Sequence, residues 1–317
     1  MPKGVSELTL KLPAFAKINW SLRVIGKRPD GHHELVTIFQ TISLHDAITL
    51  TVTNHPQIVL SSDDRSLACD EQNLVWRAAA ALQARIGEKR GTRIRLEKRI
   101  PTQAGLGGGS ADAAVTLMGL SHIWKIDLTA KEFLELAANL GADVPFFLCG
   151  GRARGSGIGT DVTPLEDAAE RFLLVLKPNK GVSTVRAYAA FDASLTSSNA
   201  KTILSSSQRS EIAGSLDSEA LYNDFEPAVF RLEPEIKRAR VALMKAGARV
   251  ALLAGSGSAV FGIFDNKEAQ ERAIQAIELE AGWRVFPCTT VGRNHYRSAM
   301  GPVGEIFARF SGQNAGA

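Results

Sequence analysis

The segment Pro101-Thr-Gln-Ala-Gly-Leu-Gly-Gly-Gly-Ser-Ala-Asp-Ala-Ala114 decides the fold, because a glycine run leads directly into an apparent helix start. Glycines let backbone N–H groups approach an anion closely, and a helix beginning after Ser110 adds free N–H groups and the positive end of its dipole. Most short glycine clusters are flexible turns, which is the alternative here. The direct passage into Ser110, with Asp112 in the first turn, favours a phosphate-binding loop.

The glycine run matches neither of two common nucleotide-binding loops. A Walker loop would continue with Lys-Ser or Lys-Thr, which does not follow these glycines. A Rossmann fingerprint requires the spacing G-x-G-x-x-G, which is also missing. The sequence therefore predicts a nucleotide site of another fold.

Composition excludes several classes of protein. The 317 residues are enough for about two domains, and 45% hydrophobic with 22% charged residues argues against disorder. Net charge is +4 (37 − 33), which suits an anionic ligand and falls short of the basic patch of a nucleic-acid binder. Charge alone does not decide the partner: a small-molecule substrate and no nucleic acid are expected only from the motifs described below. The sequence does not reveal the oligomeric state.

The cysteines and apolar stretches bear on metals, redox compartment and membranes. Cys69, Cys149 and Cys288 are odd in number and far apart, which argues against a disulfide framework and favours a reducing cytoplasm. The sequence contains no C-x-x-C or H-E-x-x-H motif, so no metal ligands are assigned. The segment 1–17 lacks the apolar core of a secretory signal. The stretch 250–264 is shorter than a membrane span, so no membrane partner is expected.

Periodicity predicts a mixed α+β chain with two domains. The alternation from Ile18 to Val24 predicts a strand on which Lys17 and Asn19 share a face, about 7 Å apart. Five glycines in 150–160 predict a crossing between domains, with the boundary near Thr163, giving domains 1–163 and 164–297 and a tail 298–317. Further strands are predicted at 8–12, 35–44, 47–53, 93–97, 250–254, 260–264 and 283–289. Helices are predicted at 74–86, 130–140, 184–191, 219–230, 234–246 and 267–280, and a serine-rich loop at 194–210.

Three separate segments resemble one kinase superfamily, that of galactokinase, homoserine kinase, mevalonate kinase and phosphomevalonate kinase (GHMP kinases). Pro13-Ala-Phe-Ala-Lys17-Ile-Asn19 is similar to its P-A-K-I-N signature, and the glycine run matches P-x-x-x-G-L-G-[GS]-[GS]-S-A. Leu253-Ala-Gly-Ser-Gly-Ser-Ala-Val-Phe261 is similar to its C-terminal S-G-S-G loop. The resemblance implies a two-domain α+β fold with an N-terminal ATP-binding unit, a C-terminal substrate unit and the active site in the cleft between them.

Four further segments resemble one branch of that superfamily, whose members phosphorylate 4-diphosphocytidyl-2-C-methyl-D-erythritol in non-mevalonate isoprenoid synthesis. They are Arg28-Pro-Asp-Gly-His-His33-Glu-Leu35, Gly141-Ala-Asp143-Val-Pro-Phe-Phe147, Lys180-Gly-Val-Ser-Thr184 and Asn223-Asp-Phe-Glu226. Together the matches cover residues 13–264. There are two alternatives, another GHMP kinase and a non-catalytic RNA-binding protein. The segments Arg28–His33 and Lys180–Thr184 argue against the first, and the second leaves the glycine run unexplained.

The resemblance also implies roles for individual residues. Asp143 is expected as the general base, with Lys17 beside it, and ATP and Mg²⁺ as cosubstrate and ion. The expected phosphate-binding residues are Pro101, Gly105, Leu106, Gly107, Gly108, Gly109, Ser110 and Ala111. The loop Gly255, Ser256, Gly257 and Ser258 is expected to fold back toward them. Without the resemblance, Asp143 would be a turn aspartate and Lys17 a solvated strand residue.

Substrate recognition is expected from Asn19, His32, His33, Thr184 and Tyr188. Relatives have G-Y-H where this chain has Gly-His-His, so an imidazole replaces the stacking phenol and offers less area. Tyr188 is expected as the opposite wall of a cytosine clamp, and an ordinary apolar helix face is an equal alternative for it. A loop histidine is the alternative for His33.

Overall fold

The computed structural model describes residues 8–197 and 221–310, which form an α+β structure built on two β-sheets. Eleven strands lie in these ranges: β1 (Thr9–Lys27), β2 (His33–Thr53), β3 (Ile58–Ser62), β4 (Gly91–Glu97), β5 (Arg152–Ser156), β6 (Asp161–Pro164), β7 (Phe172–Lys177), β8 (Tyr222–Asn223), β9 (Val250–Leu253), β10 (Val260–Phe264) and β11 (Arg284–Thr289). Several predicted strands merge, because β1 and β2 pair antiparallel along almost their full length and continue through their bulges.

Helices cover the outer faces of the sheets. They are α1 (Leu74–Ile86), α2 (Gly108–Ile123), α3 (Ala130–Leu140), α4 (Val144–Phe147), α5 (Thr184–Ser197), α6 (Glu226–Leu232), α7 (Pro234–Lys245), α8 (Lys267–Ala276), α9 (Arg293–Ala299) and a 3-10 helix (Gly301–Phe310). None of the helices within the described ranges combines the length and apolar composition needed to cross a membrane.

Local sequence signals account for several helix ends. Asn73 caps α1 by accepting a hydrogen bond from the Val75 N–H at 2.9 Å, as its position before the apolar run predicts. Thr129 and Glu132 form the predicted capping box of α3. The predicted start of α2 after Ser110 is wrong, because Gly107 adopts φ +70° and serves as the N-cap, so that Ser110 lies inside the first turn.

The first sheet is seven-stranded in the described residues and carries the N-terminal half of the chain. Its main path runs β3-β4-β2-β1-β8, and β5 joins β2 while β6 joins β5. Helices α1 to α4 pack on one face, and α2 is buried almost all round, with twelve of its sixteen residues inside. A helix that is apolar on every side belongs in a core, and this one carries the glycine run at its start.

The second sheet has the order β11-β7-β10-β9 and is antiparallel throughout. A separate apolar core lies between it and helices α5 to α8. The change of sheet falls between Pro164 and Phe172, and the domain boundary at Thr163 stays a prediction. Strand β8 crosses this division and pairs with β1 of the first sheet.

A third apolar cluster joins the two sheets. It contains Ile18, Trp20 and Ile42 from the first sheet and Val175 and Phe261 from the second. The rings of Trp20 and Phe261 stack in parallel, with their centroids 6.0 Å apart. This shared core fixes the two units against each other, and so positions the residues that face the cleft between them.

The chain after Arg297 differs from the predicted tail. Residues 301–310 form the 3-10 helix, and Val303 and Phe307 are fully buried against the first core. Tyr296 of α9 is buried in the same core and donates a hydrogen bond to the carbonyl oxygen of Phe147 at 2.6 Å. Val303, Ile306 and Phe307 have the i, i+3, i+4 spacing of a helix, which is easily missed in a segment rich in Gly and Ala.

Candidate active site

The glycine loop connects β4 to α2 and lies against the edge of β1. The Lys17 N–H donates to the Leu106 carbonyl oxygen at 2.9 Å, which fastens the loop to the strand. A Cβ at Gly107 would lie 2.8 Å from Cζ of Phe147 and 3.0 Å from Cγ of Lys17. Only glycine fits this close, left-handed position, and Gly107, Gly108 and Gly109 line the cavity at the start of α2.

The second glycine loop, between β9 and β10, packs directly on the first. The Ala259 N–H donates to the Ala104 carbonyl oxygen at 3.1 Å, and the Ser258 N–H to that of Gln103 at 3.4 Å. A Cβ at Gly105 would lie only 2.0 Å from the carbonyl oxygen of Ala254. The second glycine loop therefore packs against the first.

Asn223 anchors the second loop from below. Its side-chain amide donates to the carbonyl oxygens of Leu253 at 2.9 Å and Gly255 at 2.7 Å, while its own oxygen accepts from the Phe225 N–H at 3.0 Å. Asn223 is buried, and these bonds satisfy both amide hydrogens and one lone pair of the side-chain oxygen. In the sequence, Asn223 stands out only as the first residue of Asn223-Asp-Phe-Glu226, and its role as an anchor of the loop could not be predicted.

Lys17 and Asp143 form an ion pair beside the glycine loop. The Lys17 ammonium lies 3.3 Å from Oδ2 of Asp143, with the lysine side chain 4% exposed and the aspartate 35%. Asp143 sits at the turn between α3 and the short α4, whose start it marks. The lysine is thus held inside the protein while the carboxylate remains open to a ligand.

A buried chain of hydrogen bonds holds the Lys17 ammonium in place. Lys17 donates to Oδ1 of Asn19 at 2.8 Å, and Asn19 Nδ2 donates to Oγ1 of Thr37 at 2.7 Å. The Thr37 hydroxyl then donates to the Ser21 carbonyl oxygen at 2.7 Å. This network fixes the orientation of the Asn19 amide and leaves its role as a substrate contact a prediction.

At the other end of the cleft, an imidazole stacks on a phenol ring. The rings of His33 and Tyr188 have centroids 4.6 Å apart and planes inclined by 25°. Tyr188 also meets Phe225 edge-on at 4.7 Å, so it serves both the helix core and the cleft. Burial, and to a smaller extent the charge of Asp143, raises the pKa of Tyr188 to about 12.

A carboxylate lies beside each of the adjacent histidines, His33 and His32. His33 Nε2 lies 2.7 Å from Oδ1 of Asp192, whose other oxygen lies 3.3 Å from the Lys27 ammonium. His32 is 65% exposed, with Nδ1 3.5 Å from Oδ1 of Asp30. The sequence does not single out Asp192, although it lies four residues after Tyr188 and therefore on the same helical face.

A second buried charge cluster lies under the start of α2. The Lys98 ammonium bonds to Asp46 and lies 2.8 Å from Oδ2 of Asp112, and Asp112 Oδ1 has no partner among the described residues. Burial raises the pKa of Asp112 to about 8, the charge of Lys98 opposes the rise, and that of Asp46 adds to it. Burial alone would lower the pKa of Lys98, but the carboxylates of Asp112 and Asp46 outweigh it and raise this pKa.

One cavity of about 1290 Å³ contains most of the predicted residues. Its lining includes the following predicted positions: Lys17, Asn19, His32, His33, Pro101, Gly105, Leu106, Gly107, Gly108, Gly109, Ser110, Asp143, Thr184, Tyr188, Gly255 and Ser256. Ala111, Gly257 and Ser258 lie outside the lining, because Ala111 faces the core from α2 and the other two support the loop from behind. The Thr184 hydroxyl lies 3.1 Å from that of Ser256, across the two elements.

Comparison with known proteins agrees with this geometry. The model "GHMP kinases N terminal domain" matches residues 73–151, and "GHMP kinases C terminal" matches residues 204–282. The 4-diphosphocytidyl-2-C-methyl-D-erythritol kinases of Geobacter sp. (strain M21) and Desulfitobacterium hafniense (strain Y51) are each 40% identical. These alignments cover 89% of this chain and 99% and 96% of the two relatives. The chain belongs to the 4-diphosphocytidyl-2-C-methyl-D-erythritol kinase family.

A solved structure supports membership of this kinase family. The crystal structure of 4-(cytidine 5'-diphospho)-2C-methyl-D-erythritol kinase is 34% identical, with a TM-score of 0.73, and the match covers 89% of this chain and all of that one. The predicted two-domain α+β class is confirmed. Membership of the GHMP kinases also implies ATP as cosubstrate. The RNA-binding alternative has no support in these matches.

Proposed function

We propose that this kinase transfers the γ-phosphoryl group of ATP to the 2-hydroxyl of 4-diphosphocytidyl-2-C-methyl-D-erythritol. The observation that carries the proposal is the Lys17–Asp143 pair, 3.3 Å apart, in the same cavity as the glycine loop. The names of relatives 40% identical to the chain support the choice of substrate. The two predicted units, residues 1–163 and 164–297, would both line the site, because His33 comes from the first and Tyr188 from the second.

In this mechanism Asp143 receives the proton of the attacking hydroxyl. An alcohol is a poor nucleophile, and a carboxylate within hydrogen-bond reach lowers the barrier as the oxygen bonds to the γ-phosphorus. The bond from that phosphorus to the β-γ bridging oxygen breaks, and ADP leaves with the electron pair. The Lys17 ammonium, already fixed by Asn19, stabilises the negative charge that develops on the transferred oxygens.

The glycine loop would bind the ATP phosphates through its main chain. Gly107, Gly108 and Gly109 place amide N–H groups at the start of α2, where the dipole of a sixteen-residue helix favours negative charge. Gly255 and Ser256 bring a second glycine backbone to the same wall of the cavity. Ala111 would act only by packing the helix.

We infer Mg²⁺ from the reaction class, because phosphoryl transfer from ATP normally needs a cation that neutralises the phosphate oxygens. Among the described residues, no three His, Cys, Asp or Glu side chains form a group that could hold a metal ion. The Ser110 hydroxyl lines the cavity in the first turn of α2 and would supply one oxygen ligand. When bound, the ion neutralises charge on the phosphate oxygens.

The cytidine end of the substrate would lie at His32, His33 and Tyr188. The Tyr188 ring stacks on His33 itself, so a base would not fit between these two rings. It would instead stack on His32 and meet the edge of the His33 ring. Thr184, beside Ser256, is available for the diphosphate or the erythritol. A reducing cytoplasm remains the expected compartment.

Kinetics of Asp143→Asn and Lys17→Met test the mechanism. Asp143→Asn should lower kcat by about 10² to 10⁴ while ATP still binds, because the acceptor of the proton is lost. Lys17→Met should also lower kcat, through loss of the charge. Asp265→Asn is the matched control, because Asp265 is an exposed aspartate paired with Arg249 at 2.9 Å outside the cavity lining.

The outcomes separate the competing accounts. Unchanged turnover in Asp143→Asn removes this residue from the chemistry, and a loss below about tenfold favours positioning and electrostatics alone. Assays with homoserine and mevalonate beside the cytidylated erythritol distinguish another GHMP activity from the proposed one. Turnover only of a cytidine-free alcohol would overturn the proposed substrate.

A further inference from the structure

We propose that Asp192 is a positioning residue that fixes the tautomer of His33, so that the site accepts the amino group of cytosine and rejects the carbonyl of uracil. This inference rests on the proposed function, because it assumes that His33 meets the base. It assigns a role to Asp192, a carboxylate that the mechanism does not otherwise use.

The hydrogen bond between the two side chains determines which ring nitrogen is protonated. Nε2 of His33 lies 2.7 Å from Oδ1 of Asp192. An ionised carboxylate can only accept, so Nε2 must carry the hydrogen. In a neutral imidazole the other nitrogen, Nδ1, is then an acceptor. No described residue donates to this Nδ1, which leaves it for a ligand.

The surroundings hold the pair in this state. The Lys27 ammonium lies 3.3 Å from Oδ2 of Asp192 and pairs with this carboxylate. Stacking on Tyr188 fixes the plane of the imidazole. The remaining charges on the adjoining loop are paired with one another: Arg28 bonds to Asp30 and Glu34, each at 3.1 Å.

An acceptor at Nδ1 distinguishes the two pyrimidines by their exocyclic group. Cytosine presents an amino donor at the position where uracil presents a carbonyl acceptor. The amino group would bond to Nδ1, whereas the uracil oxygen would face another lone pair. Sites built to hydrogen-bond one polar group discriminate strongly against an analogue that cannot form the bond.

Binding of CDP and UDP to the full chain at alkaline pH tests the inference without requiring turnover. In Asp192→Asn the amide can donate to Nε2, so His33 can place its hydrogen on Nδ1 and favour uracil. We expect the ratio of CDP to UDP affinity to fall by about tenfold, the worth of one hydrogen bond. A purely structural loss would weaken both ligands and leave the ratio unchanged, which would overturn the inference.

Lys27→Arg is the matched control, because it keeps a cation beside Asp192 and leaves the bond between Asp192 and His33 in place. Its CDP to UDP ratio should equal that of the wild type. The ¹⁵N NMR shifts of the His33 ring give an independent readout on the wild type, should Asp192→Asn fail to fold. They should report hydrogen on Nε2, and hydrogen on Nδ1 would refute the assignment. Absence of kinase activity with intact CDP selectivity would refute the proposed reaction alone.

Discussion

Gly105→Ala would separate the two glycine loops. The new methyl carbon would lie 2.0 Å from the carbonyl oxygen and 2.9 Å from the carbonyl carbon of Ala254, and 3.0 Å from the carbonyl oxygen of Gly257. All three atoms belong to backbone, so no side chain can rotate away. One of the two loops must move by more than about 1 Å to restore van der Waals distance between the methyl carbon and the Ala254 carbonyl.

The expected loss of stability follows from two contributions. Gly105 has φ +77°, and a Cβ in the left-handed region costs about 1–2 kcal/mol. Moving the loops apart also breaks the bonds from Ala259 to Ala104 and from Ser258 to Gln103, at about 1 kcal/mol each. We therefore expect Gly105→Ala to lower the free energy of unfolding by about 3–4 kcal/mol.

Gly87→Ala is the matched control for backbone strain. Gly87 ends α1 with φ +67°, and a Cβ there would meet no atom within 4 Å. This variant should lose only about 1–2 kcal/mol, the strain contribution alone. Urea unfolding at equilibrium measures both values, and the KM for ATP should rise in Gly105→Ala only. Equal losses in the two variants would refute the argument that the loops press on each other.

Two further changes test buried polar groups. Burial raises the pKa of Asp112 from 3.8 to about 8, so the stability its proton gives is complete below about pH 4 and is lost as the pH rises through about 8. The free energy of unfolding of Asp112→Asn, relative to that of the wild type, should therefore rise by at least about 1.4 kcal/mol between pH 5 and pH 9, the equivalent of one pKa unit. Urea unfolding at each pH measures it. Asn223→Ala leaves the buried Leu253 and Gly255 carbonyls without their donor. It should lose about 2–3 kcal/mol of unfolding free energy and raise the KM for ATP.

Each of these two changes has a control on the protein surface. Asp265→Asn removes an exposed carboxylate and should leave the pH dependence of stability as in the wild type. Asn266→Ala removes the exposed cap of α8, whose oxygen accepts from the Ala269 N–H, and should lose about 1 kcal/mol with the KM for ATP unchanged. A parallel pH profile for Asp112→Asn, or an unaltered KM for Asn223→Ala, would contradict the respective prediction.

The parts of the fold that local signals determine are predictable from sequence. Asn73 and the Thr129–Glu132 capping box mark helix starts that the structure confirms, because each cap bonds within three residues. The alternation through Lys17 and Asn19 places both side chains on one face of β1, where they are hydrogen-bonded. The merging of the strands into one long β1 was not predictable, because Pro13 reads as a break and pairing with β2 overrides it.

Long-range partners of the site escape sequence reasoning for a similar reason. Lys98, Asp46 and Asp112 are separated by up to 66 residues and meet only after the sheet and α2 have assembled. Asp192 contacts His33 across 159 residues, and only its helical spacing from Tyr188 hints at a shared face. Chemistry within one motif can be read directly, whereas contacts between motifs require the topology.

Burial of Val303 and Phe307 in the first core bears on biosynthesis. A nascent chain that has just emerged up to β6 already contains every strand of that sheet except β8. It still lacks Tyr296, Phe307 and Phe310, which belong to the same core, and Phe310 packs on Phe133. Domains usually fold as the ribosome releases them, beginning with the N-terminal one. Here that early domain lacks part of its core until residues 301–310 have been synthesised, and its apolar face would be open to chaperones until then.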